Sequence, residues 1–242
     1  MRILALLWAL SAAAAASPPC PHPLFPMRDG LELGYRAGSR ALVARFSEGR
    51  SDAAGQSSKL SVELGDSRRT GSTEASCTAE GIATRSGGLG VLALESSGLE
   101  VEVKESSGVL LPSPEAVRKG RPWTSRVSVE LSPPKDARLP LGLRPVIRTT
   151  FVSEASYSGE EDVSVQAGRF HAVKVKSRTT AIAGATGSER SVESYLWFAE
   201  GVGLVKVMTG DRVDLELVSV KQPPQRREKA RAAAPRRTRA SP

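Results

Sequence analysis

Tyr195-Leu-Trp-Phe-Ala-Glu-Gly-Val-Gly-Leu-Val-Lys-Val-Met208 is the stretch that decides the fold. Two apolar runs flank a short link that carries two glycines, Ala199-Glu-Gly-Val-Gly203. Glycine adopts backbone angles that other residues avoid, so this pattern predicts a β-hairpin. Just upstream, Val163-Ser-Val-Gln-Ala-Gly-Arg-Phe-His-Ala-Val-Lys-Val-Lys176 predicts a second strand–turn–strand unit. The last third of the chain is therefore expected to be antiparallel β structure.

Short apolar or alternating runs, separated by Gly- and Ser-rich turns, continue this pattern through the rest of the chain. Runs about 8–12 residues apart are typical of antiparallel strands. Val146–Val152 is rich in β-branched residues and is expected to enter the core. The other predicted strands are Leu31–Tyr35, Ala41–Phe46, Leu60–Leu64, Glu74–Thr78, Gly81–Thr84, Val91–Leu94, Leu99–Lys104, Trp123–Leu131 and a last one with Val213, Leu215 and Leu217 on one face.

Helical signals are few. Residues 111–122 break the β rhythm and are predicted to be a connector, with one helical turn after Pro114 at the first helical position. No long segment with a period of 3.6 follows the N-terminus. The predicted fold is all-β: an antiparallel, strongly curved sheet, or an open barrel or sandwich, of many short strands with at most one or two short helices.

The N-terminus has the form of a secretory signal peptide. Met1-Arg2 is charged, residues 3–16 are apolar and end in an alanine-rich exit, and this predicts cleavage near Ala16 or Ser17. The apolar run is too short for the roughly 20 residues that a spanning helix needs. We therefore predict a signal peptide at 1–17, one β-rich domain at 18–220, and export to the periplasm or the cell exterior.

Two cysteines, Cys20 and Cys77, are the whole thiol content of the chain. Cys20 raises the question of lipid attachment, but Pro18 and Pro19 occupy the positions where small residues are expected, so lipidation is not favoured. An oxidising compartment favours a disulfide between the two cysteines, which would fasten the proline-rich N-terminus to the sheet. Two buried free thiols or an intermolecular bridge are the alternatives.

The net charge of +8 is concentrated at the C-terminus. Residues 221–242 contain eight cations and one acid, so they carry +7 and leave +1 for the rest of the chain. This tail lacks apolar bulk and is predicted to be disordered. It could contact an anionic envelope surface as a weak electrostatic tether, or remain solvated without a specific partner. The nearly neutral domain gives no reason to predict a nucleic-acid partner. The cations are Lys221, Arg226, Arg227, Lys229, Arg231, Arg236, Arg237 and Arg239.

No motif of catalytic or metal-binding chemistry is present, so no catalytic residue, metal or cofactor is predicted. His22 lies in a proline-rich arm, and His171 is expected to be a satisfied core or edge residue. The acids of residues 160–162 are interpreted as a solvated turn. Tyr195, Trp197 and Phe198 could line a ligand cavity, with Tyr195 or Trp197 facing the ligand. As neighbours in one strand, however, the three side chains point to both faces of the sheet and serve mainly as core and sheet cover.

Three landmarks resemble a family of uncharacterised bacterial envelope proteins with DUF-type, TapB-like domains. They are Phe25-Pro-Met-Arg-Asp-Gly30 followed by Tyr35-Arg36, the run from Val163 that contains Val165-Gln-Ala-Gly-Arg-Phe170, and Trp197-Phe-Ala-Glu-Gly-Val-Gly-Leu-Val-Lys206. The chain departs from the family pattern at Leu24, Leu33 and Gln166. The resemblance implies an exported β-rich domain, with a curved sheet like those of lipoprotein carriers, and it supplies no catalytic residues.

Three functions are open at this point. The first is a non-enzymatic, exported module that binds or supports another envelope component, such as a protein or an anionic surface. The second is a carrier that holds a lipid or another apolar ligand in the concavity of a curved sheet. The third, a hydrolase with an unrecognised site, would need a polar pocket at His171 or at the acids of 160–162. A contiguous apolar cavity beside Trp197 would separate the carrier from the scaffold.

Overall fold

A computed structural model describes residues 22–52, 55–65, 70–135, 137 and 144–222. The predicted signal peptide, Cys20, and the tail cations from Arg226 to Arg239 lie outside these residues. Within the described part of the chain, no helix is long and apolar enough to cross a bilayer.

The described residues form thirteen strands and two short helices, as the predicted all-β class requires. In chain order the elements are β1 (Glu32–Ala37), β2 (Arg40–Asp52), β3 (Gly55–Leu64), β4 (Thr70–Thr78), β5 (Gly81–Thr84), α1 (Leu89–Ser96), β6 (Glu100–Gly108), β7 (Leu111–Pro112), α2 (Pro114–Arg118), β8 (Trp123–Ser132), β9 (Ile147–Val165), β10 (Gly168–Ala183), β11 (Glu189–Ala199), β12 (Gly203–Thr209) and β13 (Arg212–Lys221).

All strands belong to one antiparallel sheet with the order β6-β8-β9-β10-β11-β12-β13-β1-β2-β3-β4-β5-β7. The two ends of this order come close together, because the chain passes directly from β6 to β7. The Ser106 hydroxyl of β6 donates to the Thr84 carbonyl of β5 at 3.1 Å, and the Leu110 N–H donates to the Ile82 carbonyl at 2.7 Å. The sheet is therefore strongly curved, as predicted.

Both predicted hairpins are present. β11 and β12 pair antiparallel, with Gly201 at φ 73° and Gly203 at φ 102° in the link. β9 and β10 form the second hairpin, with Gly168 opposite Val165. Glycines in the two turns made both hairpins predictable from the sequence, because such turns need backbone angles that glycine adopts readily.

The expectation of short strands is wrong for this second hairpin, since β9 has 19 residues and β10 has 16. Their register shifts between Lys174 and Val175, opposite a bulge at residues 158–159. Beyond the bulge, the hairpin tip reaches three strands across the end of the core. The Ala167 N–H donates to the Leu217 carbonyl of β13 at 3.1 Å, and the Gln166 N–H donates to Glu216 Oε1 at 3.0 Å.

The predicted strand Val91–Leu94 is wrong, because these residues form helix α1. Residues 89–96 contain several good helix formers, and the alternation of a strand is absent from their burial. Leu92 and Ser96, one turn apart, are fully buried, and the Ser96 hydroxyl lies 2.6 Å from the Val62 carbonyl of β3. Tertiary packing against β3 and β4 therefore gives this short segment its helical form.

The helical turn predicted after Pro114, in the segment 111–122, is present as α2. Ser113 accepts a hydrogen bond from the Ala116 N–H, and Pro114 occupies the first turn of α2, as predicted. Leu111 and Pro112, however, pair with Ile82 and Gly81 as the short strand β7. This pairing depends on a contact between distant residues, which sequence spacing does not show.

Two hydrophobic clusters fill the concave side of the sheet. The main core joins β1–β5 to β10–β13 and includes Leu31, Leu92, Val175 and Leu217. The N-terminal arm also packs there, since the rings of Phe25 and Phe46 meet edge to face at 5.5 Å. A second, smaller cluster contains Val91, Val127 and Val129.

Candidate binding face

The far end of the sheet, made of β6, β8, β9, β10 and β11, extends the core side of the sheet beyond the main core. Residues that pair directly across antiparallel strands lie on the same face of the sheet, and we call such a set of paired residues a row. Successive rows alternate between the two faces. Val127 and Val129 of β8 are buried, whereas Arg126 between β6 and β9 is exposed. The rows of Val127 and Val129 therefore mark the core side.

The core-side rows through Val127 and Val129 are mainly apolar. Val129 pairs with Thr149, Thr149 with Ala183, and the next core-side row joins Val127, Phe151, Ala181 and Arg190. We use the name open face for the apolar core-side residues Val101, Val103, Leu131, Ile147, Phe151, Ala181, Ala183 and Val192 around Val127 and Val129.

The open face is only partly covered. Val91 of α1 packs on Val127 and Val129, with Val101, Leu131 and Phe151 around them. Further out, Val103 is 36% exposed, Val192 48% and Ile147 58%, and these are three of the five large apolar side chains that stand exposed in the described residues. An exposed contiguous apolar patch marks an interaction surface far better than a single exposed valine does.

One sequence expectation fails at this place. Val146–Val152 was expected to enter the core, but Val146 is 55% exposed and β9 begins at Ile147 on the rim of the sheet. A β-branched run predicts a strand and one or two apolar faces. It does not reveal whether another element covers those faces.

A polar rim borders the open face. Ser125, Ser153 and Thr179 form the next core-side row, and the hydroxyls of Ser153 and Thr179 lie 3.0 Å apart. Arg190 stands at the end of the Phe151–Ala181 row, on the part of β11 that β12 does not reach, because β12 ends at Thr209. Among the described residues no acid forms an ion pair with Arg190.

Tyr195 and Trp197, the predicted ligand residues, lie on the opposite face of the sheet. Trp197 is only 5% exposed, and its Nε1 donates to Glu161 Oε1 at 2.7 Å. Lys174 Nζ stands 5.0 Å from the Tyr195 ring centre and 5.1 Å from that of Trp197, and Lys206 Nζ stands 5.6 Å from Trp197. The lysines cover the indole with cation–π contacts, so charged side chains occupy the surface over Trp197.

His171 lies beside the acids of residues 160–162, close to the hairpin tip. Its Nδ1 is 3.0 Å from Asp162 Oδ1, and its Nε2 is 3.4 Å from Glu160 Oε2. The prediction that these acids lie in a turn is wrong. They lie within β9, because the strand continues through its bulge. All three side chains are substantially exposed, so His171 is a surface residue and the group forms a surface ion cluster.

The other histidine, His22, is 4% exposed, and its Nε2 lies 2.8 Å from the Pro112 carbonyl. Burial lowers the pKa of His22, while the hydrogen bond to Pro112 acts in the opposite direction. For His171, the carboxylates of Asp162 and Glu160 raise the pKa of the imidazole. The two histidines of this chain therefore titrate on opposite sides of 6.5.

We expect an NMR titration of the two imidazoles to resolve a midpoint below 6.5 for His22 and one above 6.5 for His171. The unfolded chain binds a proton more readily than buried His22, so the folded state loses stability as the pH falls below about 6.5. His171 acts oppositely: its contribution is present below about 6.5 and is lost as the pH rises through its raised pKa.

His22→Gln should remove the loss of melting temperature on the acid side, and His171→Gln should leave it in place. Each variant also assigns one of the two NMR signals. A His22 midpoint at or above that of His171 would contradict the burial of His22.

Two pockets of the described residues lie at the C-terminal end of α1, and the second of them includes Val101 of the open face. One, of about 440 Å³, is lined by residues that include Arg40, Leu64 and Ser96, and the other, of about 360 Å³, by residues that include Thr70, Glu95 and Val101. Neither includes Tyr195, Trp197 or His171. No group of three or more metal-ligating side chains with suitable geometry occurs in the described residues.

Cys77 is fully buried in β4. Its predicted partner, Cys20, lies outside the described residues, so the pairing of Cys20 with Cys77 stays a prediction. The proposed contacts of the basic tail with anionic surfaces stay predictions for the same reason.

Two of the three sequence motifs, the N-terminal landmark and the run that begins at Trp197, meet at one place in the fold. The Gly201 N–H donates to the Pro23 carbonyl at 2.8 Å, and Gly203 lies against Pro26 and Leu24. The N-terminal landmark therefore packs on the turn between β11 and β12. These motifs serve the core, whereas the open face lies outside them. Its sequence signals were the apolar run at 146–152 and the alternating strand Trp123–Leu131.

No family model and no curated protein matches the chain. Two solved structures are similar. One is described as a "putative exported protein with YmcC-like fold" from Bacteroides fragilis; it is 16% identical, and the match covers 82% of this chain and 98% of that one with a TM-score of 0.56. The other is described as a "putative lipoprotein" from Parabacteroides distasonis, at 16% identity, 83% and 99% coverage and a TM-score of 0.60. The likeness shows that this chain has the fold of these proteins.

Proposed function

We propose that this chain is an exported, non-enzymatic binding module of the bacterial envelope, and that its open face holds the apolar part of a ligand. The observation that carries the proposal is the set of three exposed apolar residues, Val103, Ile147 and Val192, which lie in three separate rows on the core side of the sheet. The signal-like N-terminus, the resemblance to envelope proteins and the descriptions of the two solved structures support the location.

Hydrophobic burial can drive this binding. Fully burying a valine or isoleucine side chain contributes about 1.5–3 kcal/mol relative to leaving it exposed. Each of these three side chains is about a third to three-fifths exposed, so a ligand that covers all three would gain a few kcal/mol from them. Phe151, Ala181 and Ala183 add partly exposed area between them.

The open face suits an apolar chain better than the Trp197 face does. Among the described residues, Arg190 is the one charged side chain in the core-side rows that border the open face. In contrast, Lys174, Lys206 and Glu161 occupy the surface over Trp197. The basic tail would serve as an electrostatic tether to an anionic surface. A carrier is therefore favoured over a module that only supports a protein partner.

The test is the binding of the neutral apolar dye N-phenyl-1-naphthylamine to the folded, mature protein. We expect saturable binding, and we expect Val192→Asp to weaken it at least about tenfold, because a carboxylate at this position would have to be desolvated under the apolar ligand. Val213→Asp is the matched control. Val213 is a strand valine that is 39% exposed, on β13 and outside the open face.

Equal dye affinity of Val192→Asp and Val213→Asp would place the binding elsewhere and overturn the proposal. The absence of saturable binding by the folded protein would overturn it as well, and would favour the scaffold that binds a protein partner. Circular dichroism of each variant establishes that it is folded.

A further inference from the structure

We infer that the ligand of the open face is a single-chain amphiphile with an anionic head group, and that Arg190 binds that head group. This inference rests on the proposed function, and it adds the chemical class of the ligand. Two observations carry it. Arg190 lies at the end of a face that is otherwise uncharged, and it forms no ion pair with a described residue.

Arg190 lies in the row formed by Val127, Phe151 and Ala181, on the core side of the sheet. Two residues further along β11, on the same face, is Val192. An apolar chain laid along the Phe151–Ala181 row would therefore end at the guanidinium. A planar guanidinium with five donors is well suited to a carboxylate or phosphate.

The neighbouring arginines do not share this position. Arg126, Arg148 and Arg178 belong to rows on the other face of the sheet, and Arg148 Nε already binds Glu130 at 2.7 Å. Arg190 forms no ion pair with a described residue and is exposed, so an anion can approach it without displacing an acid.

The polar rim fits the same class of ligand. The hydroxyls of Ser153 and Thr179, paired at 3.0 Å, border the apolar rows on the side toward the main core. An amphiphile could place its apolar chain on the open face and its head group among Arg190 and these hydroxyls, so that no charged group is buried without a partner. A hydrocarbon without a head group would give the Arg190 guanidinium no anionic partner.

The test measures displacement of the bound dye by decanoate and by decan-1-ol, which share a chain and differ in charge. At about pH 7.5, where the carboxylate is ionised, we expect decanoate to bind the wild-type protein about tenfold more tightly than decanol. Arg190→Gln should abolish this preference by weakening decanoate alone. Arg178→Gln, on the opposite face of the neighbouring strand β10, should keep it.

The preference should also shrink at high salt, since screening weakens a solvent-exposed charge pair. Equal binding of decanoate and decanol by the wild-type protein would overturn the assignment of an anionic head group while leaving the apolar site intact. An unchanged preference in Arg190→Gln would overturn the role of Arg190. Failure of both compounds to displace the dye would contradict the proposed function itself.

Discussion

Replacing Gly81 with alanine is expected to lower the free energy of unfolding by about 3 kcal/mol or more. Gly81 opens β5 at φ +134°, which L residues rarely adopt. A Cβ at this position would stand 2.3 Å from the Leu111 carbonyl oxygen and 2.6 Å from the Pro112 Cα, and both are backbone atoms. The pairing of β5 with β7, where the two ends of the sheet come together, therefore requires glycine.

Gly168→Ala is the matched control for this substitution. Gly168 has nearly the same backbone angle, φ +138°, and its Cβ would meet the Phe170 ring only at 3.9 Å. It should show the conformational cost of about 1–3 kcal/mol without the clash. The measurement is urea unfolding of both variants, and an equal loss in the two would show that β7 does not need the close approach at Gly81.

Leu92→Ala should lower the free energy of unfolding by about 3–5 kcal/mol, since the side chain is fully buried. Leu92 packs α1 into the main core, and its neighbour Val91 packs on Val127 and Val129 in the second cluster. Loss of Leu92 leaves a cavity and also loosens the helix that covers part of the open face. We therefore expect stronger binding of the apolar dye by this variant.

Leu94→Ala is the control within the same helix, because Leu94 is partly exposed. Leu94→Ala should lower the free energy of unfolding by about 1 kcal/mol, which is clearly less than the loss expected for Leu92→Ala. The midpoint of urea unfolding at an unchanged slope is the relevant measurement. If both variants lose the same free energy of unfolding, Leu92 does not anchor α1 in the core. The helical form of α1 would then need another explanation.

The candidate site was predictable only in part. Its alternating strands were evident, because Val127, Val129 and Leu131 share one face by their spacing, and the structure confirms it. The ligand residues expected from aromatic content, Tyr195 and Trp197, lie on the other face under Lys174 and Lys206. Aromatic side chains fill cores and sheet surfaces as often as ligand sites, so their presence alone does not place a site.

The amino-acid sequence by itself determined the class of the fold. Turn glycines at 168, 201 and 203 and the alternation of valines with polar residues act over a few residues, so the hairpins and the antiparallel pairing follow from local physics. The helical turn after Pro114 follows in the same way, from a cap and a fixed φ.

The tertiary structure alone decided the rest. Residues 89–96 are helical because β3, β4 and β8 surround them, and Val103, Ile147 and Val192 form one face because five strands from distant parts of the chain are in register. Local sequence specifies which side of a strand is apolar. What covers that side depends on contacts between residues far apart in the chain, and among the described residues α1 covers a part of the open face.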